Sequence, residues 1–359
     1  MSAPFNRRTF LRRSAIAALG VTAAGLGAAA YLRRQRVPWD RAAFGPVGEA
    51  RVAVVRASSY SAALEEIVFD GLRAIGADVR GARVLLKPNL VEYDPGTVIN
   101  TDPRLVAATV LAMRRLGATT VTVAEGPGHR RDTQYVVTAA GLSAALGDVD
   151  APFVDLNTDA IVATRLRSHY TNLGSLWLPR SVVEADVVVS MPKMKTHHWA
   201  GVTLSLKNCF GCVPGRIYGW PKNALHRVGL EAAILDVAGA VRPDLAIVDG
   251  IVGMEGNGPI SGTPVEAGVI VFGDDPVATD VVAAQLMNVD PERVAYLAEA
   301  GRFLGQTDLE HVHQEGEDPS REVTDFSVLT PFASEGRFQR EPRERDRRPG
   351  LSQRVVSAP

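Results

Sequence analysis

"RVLLKPNLVEYDPGTVINTDPRLVAATVLAMRRLGATTVTVAEG", Arg83 to Gly126, decides how the chain folds. "RVLL" and "TVTVA" are short apolar runs rich in β-branched residues, the composition of strands buried on both faces. Between them Asp102 stands as an N-cap with Pro103 at the first helical position, and Gly117 follows the last apolar turn as a stop. A strand, a helix and a strand in series imply parallel strands, which need a long crossover to return to the same edge of a sheet. The alternation continues in both directions. Upstream lie "RVAVVRA" and then "SAALEEIVFDGLRAIGA", with Leu64, Ile67, Val68, Leu72 and Ile75 on one helical face. Downstream, "APFVDL", "ADVVVSMP", "DLAIVDG" and "AGVIVFGDD" read as strands, and Asp275-Pro276 and Asp290-Pro291 repeat the helix-start signal. The expected fold is α/β: a mostly parallel sheet with helices on both faces, forming one domain over residues 50–312.

Composition adds bounds. The 359 residues are 46% hydrophobic and 22% charged with a formal net charge of −1, so neither wholesale disorder nor nucleic-acid binding is indicated. Two cysteines exclude a disulfide framework. The N-terminal "NRRTFLRRSAIAALGVTAAGLGAAAYLRR" pairs Arg7 with Arg8 ahead of a weakly apolar, Ala- and Gly-rich run. Residues 1–36 therefore resemble a twin-arginine export signal, with "AAA" at Ala28 to Ala30 offering a cleavage site; an uncleaved membrane anchor is the alternative. The implied location is the periplasm or the outer face of the inner membrane, with membrane contact only through this segment. Residues 313–359 are polar and charge-mixed, and are expected to form a solvated, disordered tail.

In open parallel sheets, ligands bind beyond the carboxyl ends of the strands. Those ends carry Lys87 and Asn89, then Glu125, then Lys193, Lys195, His197 and His198, then Asp249 and Glu255, then Asp274 and Asp275. Lys193 and Lys195 alternate on an extended segment and so share a side, which predicts a cationic wall for a carboxylate or phosphate. His197 at its end is a candidate proton carrier or metal ligand, whereas His198 is as readily a packing residue. Asp280 falls on the apolar stripe of the helix begun by Pro276 and, if buried, needs a partner: a cation, a metal or a lysine. "KNCFGC" adds Lys207, Asn208 and the pair Cys209 and Cys212. That pair is a disulfide or two free thiols ahead of half a metal site, since two thiolates alone cannot hold a four-cysteine zinc or iron–sulfur centre.

"VLLKPNLV", "VVVSMPKMKTHHWAGVTLSLKNCFGCVPG", "LAIVDGIVGMEGNGP" and "VIVFGDDPVATD" together resemble the bacterial and archaeal family known as domain of unknown function 362, over roughly Val52 to Gly305. The resemblance singles out Lys87, Asn89, Lys193, Lys195, His197, Lys207, Asn208, Asp249, Glu255, Asp275 and Asp280. Members are often fused to ferredoxin-like segments, but this chain lacks the cysteines for one. The leading expectation is an enzyme acting on a small anionic substrate. Lys87, Asn89, Lys193, Lys195, Lys207 and Asn208 would bind, and His197, Asp249 and Glu255 would move protons. A divalent metal would sit at Asp275 and Asp280 if one takes part. The alternatives are a redox or metal-cluster protein centred on Cys209 and Cys212 and a non-catalytic anion-binding module.

Overall fold

The computed structural model describes residues 37–60, 63–128, 132–220 and 222–334. Residues 1–36, expected to direct export, and 335–359, the end of the expected tail, lie outside the described residues. The chain divides after Asp40, and every element below belongs to the unit that starts at Arg41.

The main sheet is built from β1 (Ala50–Arg56), β2 (Arg83–Pro88), β3 (Thr120–Glu125), β4 (Phe153–Asp155), β7 (Val187–Met191), β10 (Leu245–Glu255), β12 (Val269–Gly273) and β13 (Val312–Gly316), in the order β13-β1-β12-β10-β7-β2-β3-β4. Between β4 and β7, β5 (Ile161–Arg165) and β6 (Ser175–Pro179) form a separate hairpin. Neighbours from β10 to β4 are all parallel, and β12 alone along this path runs against its neighbours β1 and β10. Beyond β7 the chain continues as β8 (Lys193–His197), which pairs parallel with β10 and antiparallel with β9 (Gly201–Thr203), while β11 (Thr263–Val265) pairs with the far end of β10.

Alternate strand residues serve the two faces. Val84 and Leu86 of β2, and Val121 and Val123 of β3, join one core with the helices Leu64–Ala74 and Pro103–Arg115. Leu85 and Ala124, of opposite parity, are equally buried but outside that core, so the second face is covered as well. Val68, Leu72 and Ile75 are 0–1% exposed, each burial being worth about 1.5–3 kcal/mol. The first helix approaches the sheet so closely at Gly71 that a Cβ would lie 2.4 Å from the Phe272 ring. The second starts as its sequence predicts: Asp102 accepts from the Arg104 N–H at 2.9 Å, Pro103 follows, and Gly117 has a φ of +95° just past the end.

The polar tail expected from residue 313 begins later than that. Val312–Gly316 extends the sheet as a parallel edge strand on β1, and Val323 and Phe326 are buried. Edge strands need only one partner and tolerate a polar sequence, which hid "VHQEG" from a hydrophobicity-based reading. Among the described residues, no helix is long and apolar enough to cross a membrane.

Candidate functional site

A cavity of about 360 Å³ opens at the carboxyl ends of β2, β3 and β8. Its polar floor is one continuous chain of hydrogen bonds. Lys87, at the end of β2, pairs with Glu125, at the end of β3, and donates to Asn208 Oδ1 at 2.9 Å. Asn89 Nδ2 donates to the same Asn208 oxygen at 3.2 Å, and Asn89 Oδ1 accepts from Lys195 Nζ at 2.6 Å. All five residues are at most 6% exposed. Asn208 belongs to the single turn Ser205–Asn208, and its Nδ2 returns to the Lys87 carbonyl at 3.0 Å and to Ser190 Oγ at 3.1 Å. The network is satisfied except at one point: Glu125 Oε2 has no partner among the described residues.

The cations around the cavity have few counter-charges. Lys195 donates to Asn89 Oδ1 at 2.6 Å, to the Ile99 carbonyl at 2.8 Å and to the Pro259 carbonyl at 3.3 Å. Lys222 reaches the carbonyls of Gly126, Phe210 and Gly211 at 2.9, 2.8 and 3.3 Å. Lys207 lies 5.4 Å from the Phe210 ring centroid and has no hydrogen-bond acceptor among the described residues. Among the described residues, none of these three amines meets a carboxylate. Burial holds Lys195 well below the ordinary lysine range, with the charges of Lys207, Lys193 and Lys87 adding to it, and burial brings Lys207 and Lys222 down to about 8.

Three imidazoles complete the wall. His197 Nδ1 accepts from the backbone N–H groups of Trp199 and Ala200, both at 3.1 Å, so the neutral ring carries its hydrogen on Nε2. Burial, then the charge of Lys207, pushes its pKa far down. His197 is thereby a neutral N–H donor, and it has no lone pair left for a proton or a metal. His198 is wired the other way: its Nδ1 lies 2.6 Å from the Gly258 carbonyl, which leaves Nε2 as the unprotonated nitrogen. His226 repeats this arrangement with the Lys222 carbonyl at 3.1 Å. The His197 and His198 rings stack at 4.9 Å, and Trp199, 66% exposed, sits beside them among the cavity residues.

Other residues singled out from the sequence lie elsewhere. Lys193 does not join a wall with Lys195: its ammonium pairs with Asp249 Oδ2 at 2.6 Å and also donates to Tyr60 Oη at 2.8 Å and to the Val252 carbonyl at 3.0 Å. Asp249 additionally accepts from Tyr60 Oη at 2.7 Å and from the Asp102 N–H at 2.9 Å, a closed set outside the cavity. Glu255 accepts from the Ser327 N–H at 2.8 Å and so anchors the C-terminal segment. Asp275 caps its helix through Val277 N–H at 2.8 Å and also accepts from the Gln306 N–H at 2.8 Å. Asp280, fully buried, accepts from the Ser205 and Leu206 N–H groups at 2.7 and 2.9 Å, and burial pushes it up to about 7. Both carboxylates are thus committed to backbone, and among the described residues no three His, Cys, Asp or Glu side chains converge to hold a metal. Cys209 and Cys212 are free, buried thiols outside the cavity lining; burial raises Cys209 well above its ordinary value and Cys212 to about 11, opposing the thiolate that redox or metal chemistry needs.

The match to known proteins agrees with the strand-end motifs. The model of the family described as Domain of unknown function (DUF362) matches residues 84–285. The chain belongs to this family. A curated relative, the "Thylakoid-associated protein sll1697" of Synechocystis sp., is 32% identical over 263 residues, 70% of this chain and 79% of the relative. Among solved structures, a lactate racemase apoprotein from Thermoanaerobacterium thermosaccharolyticum aligns with a TM-score of 0.45 at 14% identity, over 66% of this chain and 57% of that one. A Thermotoga maritima protein aligns with a TM-score of 0.31 at 12% identity, over 56% and 53% of the two chains. In this DUF362 chain the cavity gathers Asn89, Lys195, His197, Lys207 and Asn208 from the sequence-derived set, with Lys87 in its floor network. It adds Lys222, His226 and a Glu125 whose role the sequence left open. Glu125 ends β3 as Lys87 and Pro88 end β2, a readable signal; Lys222 and His226 follow no strand, and only tertiary closure brings them in.

Proposed function

We propose that the cavity binds a small carboxylate or phosphate and carries out proton transfer on it. The observation that carries this reading is the set of three amines, Lys195, Lys207 and Lys222, around one cavity whose nearest carboxylate, Glu125, is already engaged by Lys87. Lys195 and Lys222 are buried cations without counter-charges, which is costly, and an entering anion relieves that cost. His197 contributes a fixed Nε2–H to an anionic oxygen. The acceptors for a substrate proton are the unprotonated Nε2 of His198 or His226 and the free Oε2 of Glu125. This places proton transfer on His198, His226 and Glu125 instead of His197, Asp249 and Glu255, while keeping the substrate class.

Calorimetric titration with acetate, phosphate and a neutral amide of acetate's size tests it. The expected result is binding of an anion and not of the amide, weakened by Lys207→Met and Lys222→Met; equal heats for all three ligands would end the proposal. A bound anion without turnover of any small carboxylic acid would leave a non-catalytic binding module. We also propose that residues 1–36 direct export by the twin-arginine route, on the strength of Arg7-Arg8 before a weakly apolar run.

A further inference from the structure

The five lysines differ in how their N–H groups are used, and Lys207 alone of them is half-buried where the others are buried. Lys87 reaches Glu125, Asn208 Oδ1 and the Pro88 carbonyl; Lys193 reaches Asp249, Tyr60 and the Val252 carbonyl. Lys195 and Lys222 likewise have three acceptors each. An ammonium has three donors, so these four are saturated and their nitrogens are held in place. Lys207 has no acceptor among the described residues, lines the cavity, and is placed by a turn whose backbone Asp280 clamps from behind. Its charge acts on Lys195, His197 and His226, so its amine lies within electrostatic reach of each. It is the amine with a nitrogen free to react.

Resting on the reading of the cavity as an anion site, we propose that Lys207 is a nucleophile that captures a small 2-oxo acid as a Schiff base, with the substrate carboxylate held in the field of Lys195 and Lys222. The neutral amine attacks the keto carbon, forming the C–N bond while the C=O π pair moves to oxygen. The nitrogen then passes both its protons, by way of His198 Nε2 or Glu125 Oε2, to the departing oxygen. One amine and one ketone become one imine and one water, and no oxidant or reductant is consumed. Burial favours the reactive form: with its amine brought to about 8, about a tenth of Lys207 is the free base at pH 7, against well under a thousandth for an ordinary lysine. Burial alone keeps that value low, the saturated lysines attract the carboxylate, and His197 Nε2–H can polarise the carbonyl without itself ionising.

The test is reductive trapping. The full-length protein is incubated with pyruvate or glyoxylate and sodium cyanoborohydride, and its intact mass and proteolytic peptides are read. One carboxyalkyl group on Lys207 is expected, blocked by excess acetate and absent from Lys207→Arg, whose fold is checked by circular dichroism. Trapping should rise at least fivefold from pH 6.5 to 8. Adducts on the other four lysines or the amino terminus in place of Lys207, or no adduct at all while calorimetry still shows acetate binding, would overturn the Schiff base and leave the anion site standing. Absence of acetate binding as well would remove both. Because the wild-type peptide map reads Lys207 directly, a poorly folded variant does not blunt the experiment.

Discussion

Anion affinity should fall steeply as pH rises through 8. Lys207 and Lys222 have amines at about 8, and neither has a carboxylate partner. Both pKa values are lowered because burial penalises the charged form, so in the free protein each is mostly protonated at pH 7 and mostly neutral at pH 9. A bound carboxylate stabilises the ammonium and raises its pKa, so binding is linked to proton uptake. If one lysine must be charged, the association constant falls about tenfold between pH 7 and 9, about 1.4 kcal/mol; if both must be, about a hundredfold. The chosen ligand is acetate, which is fully ionised across this range and contributes no titration of its own. Isothermal titration calorimetry in buffers of different ionisation enthalpy reads affinity and proton uptake together. At pH 8 the expected uptake is about half a proton for each lysine engaged. An affinity constant within a factor of two from pH 7 to 9, with no buffer dependence of the heat, would falsify the assignment of these amines as the anion-binding charges. High salt should weaken the contribution of buried Lys222 less than that of the half-buried Lys207, which solvent ions reach.

Further perturbations separate the parts. At Gly211 a Cβ would lie 1.9 Å from Glu125 Oε1 and 2.4 Å from Lys87 Nζ, so Gly211→Ala should break that buried pair, costing about 3–5 kcal/mol in chemical denaturation and abolishing ligand binding. Asp280→Ala strands the Ser205 and Leu206 N–H groups and should cost about 2–5 kcal/mol while disordering the turn that carries Lys207 and Asn208. Because Asp280 is raised to about 7, its contribution to stability is full below about pH 4 and lost as pH rises through 7; Asp280→Asn should flatten that part of the stability profile measured by thermal melts. The double substitution Cys209→Ser and Cys212→Ser should leave anion affinity unchanged within twofold, because the thiols are protonated and outside the cavity; loss of a visible absorption band or of stoichiometric metal would revive the redox reading. Replacing Arg7 and Arg8 by lysine should trap the precursor in the cytoplasm, as judged by cell fractionation.

What the sequence made legible is what local chemistry determines. β-branched runs announced β1, β2, β3, β4, β7, β10 and β12, and Asp-Pro pairs announced where helices begin at Pro103 and Pro276. Strand direction is not local: β12 reads like its neighbours yet runs antiparallel between β1 and β10. Polar strands were harder still. "KMKTH" forms β8 with every residue buried, because tertiary partners satisfy its lysines, and all but the first residue of the edge strand "VHQEG" falls in the polar stretch that reads as tail. At the site, Lys87, Asn89 and Lys195 were visible as strand-end residues, and Lys207 with Asn208 came from the motif that follows. The tautomers of His197 and His198 were invisible, since two adjacent identical residues acquire opposite roles from the backbone groups each ring meets.

The separation of Lys193 from Lys195 shows how a sound local rule reaches a wrong site. Residues two apart on a strand do share a face, and both side chains here reach toward the segment that joins β2 to the helix Pro103–Arg115. Lys195 donates to its Ile99 carbonyl, whereas Lys193 pairs with Asp249, which accepts from its Asp102 N–H. The two lysines line two different compartments, Lys193 a cavity beside Tyr60 and Val252 and Lys195 the candidate site. In one, a carboxylate and a tyrosine neutralise and saturate the lysine, leaving an anion little to gain. In the other, carbonyls and an amide solvate the lysine without cancelling its charge. A carbonyl contributes a dipole where a carboxylate contributes a full charge, so the second compartment retains an attractive field for an anion. Identity and spacing were the same for both lysines; the counter-charge decides which one is left for the proposed anion.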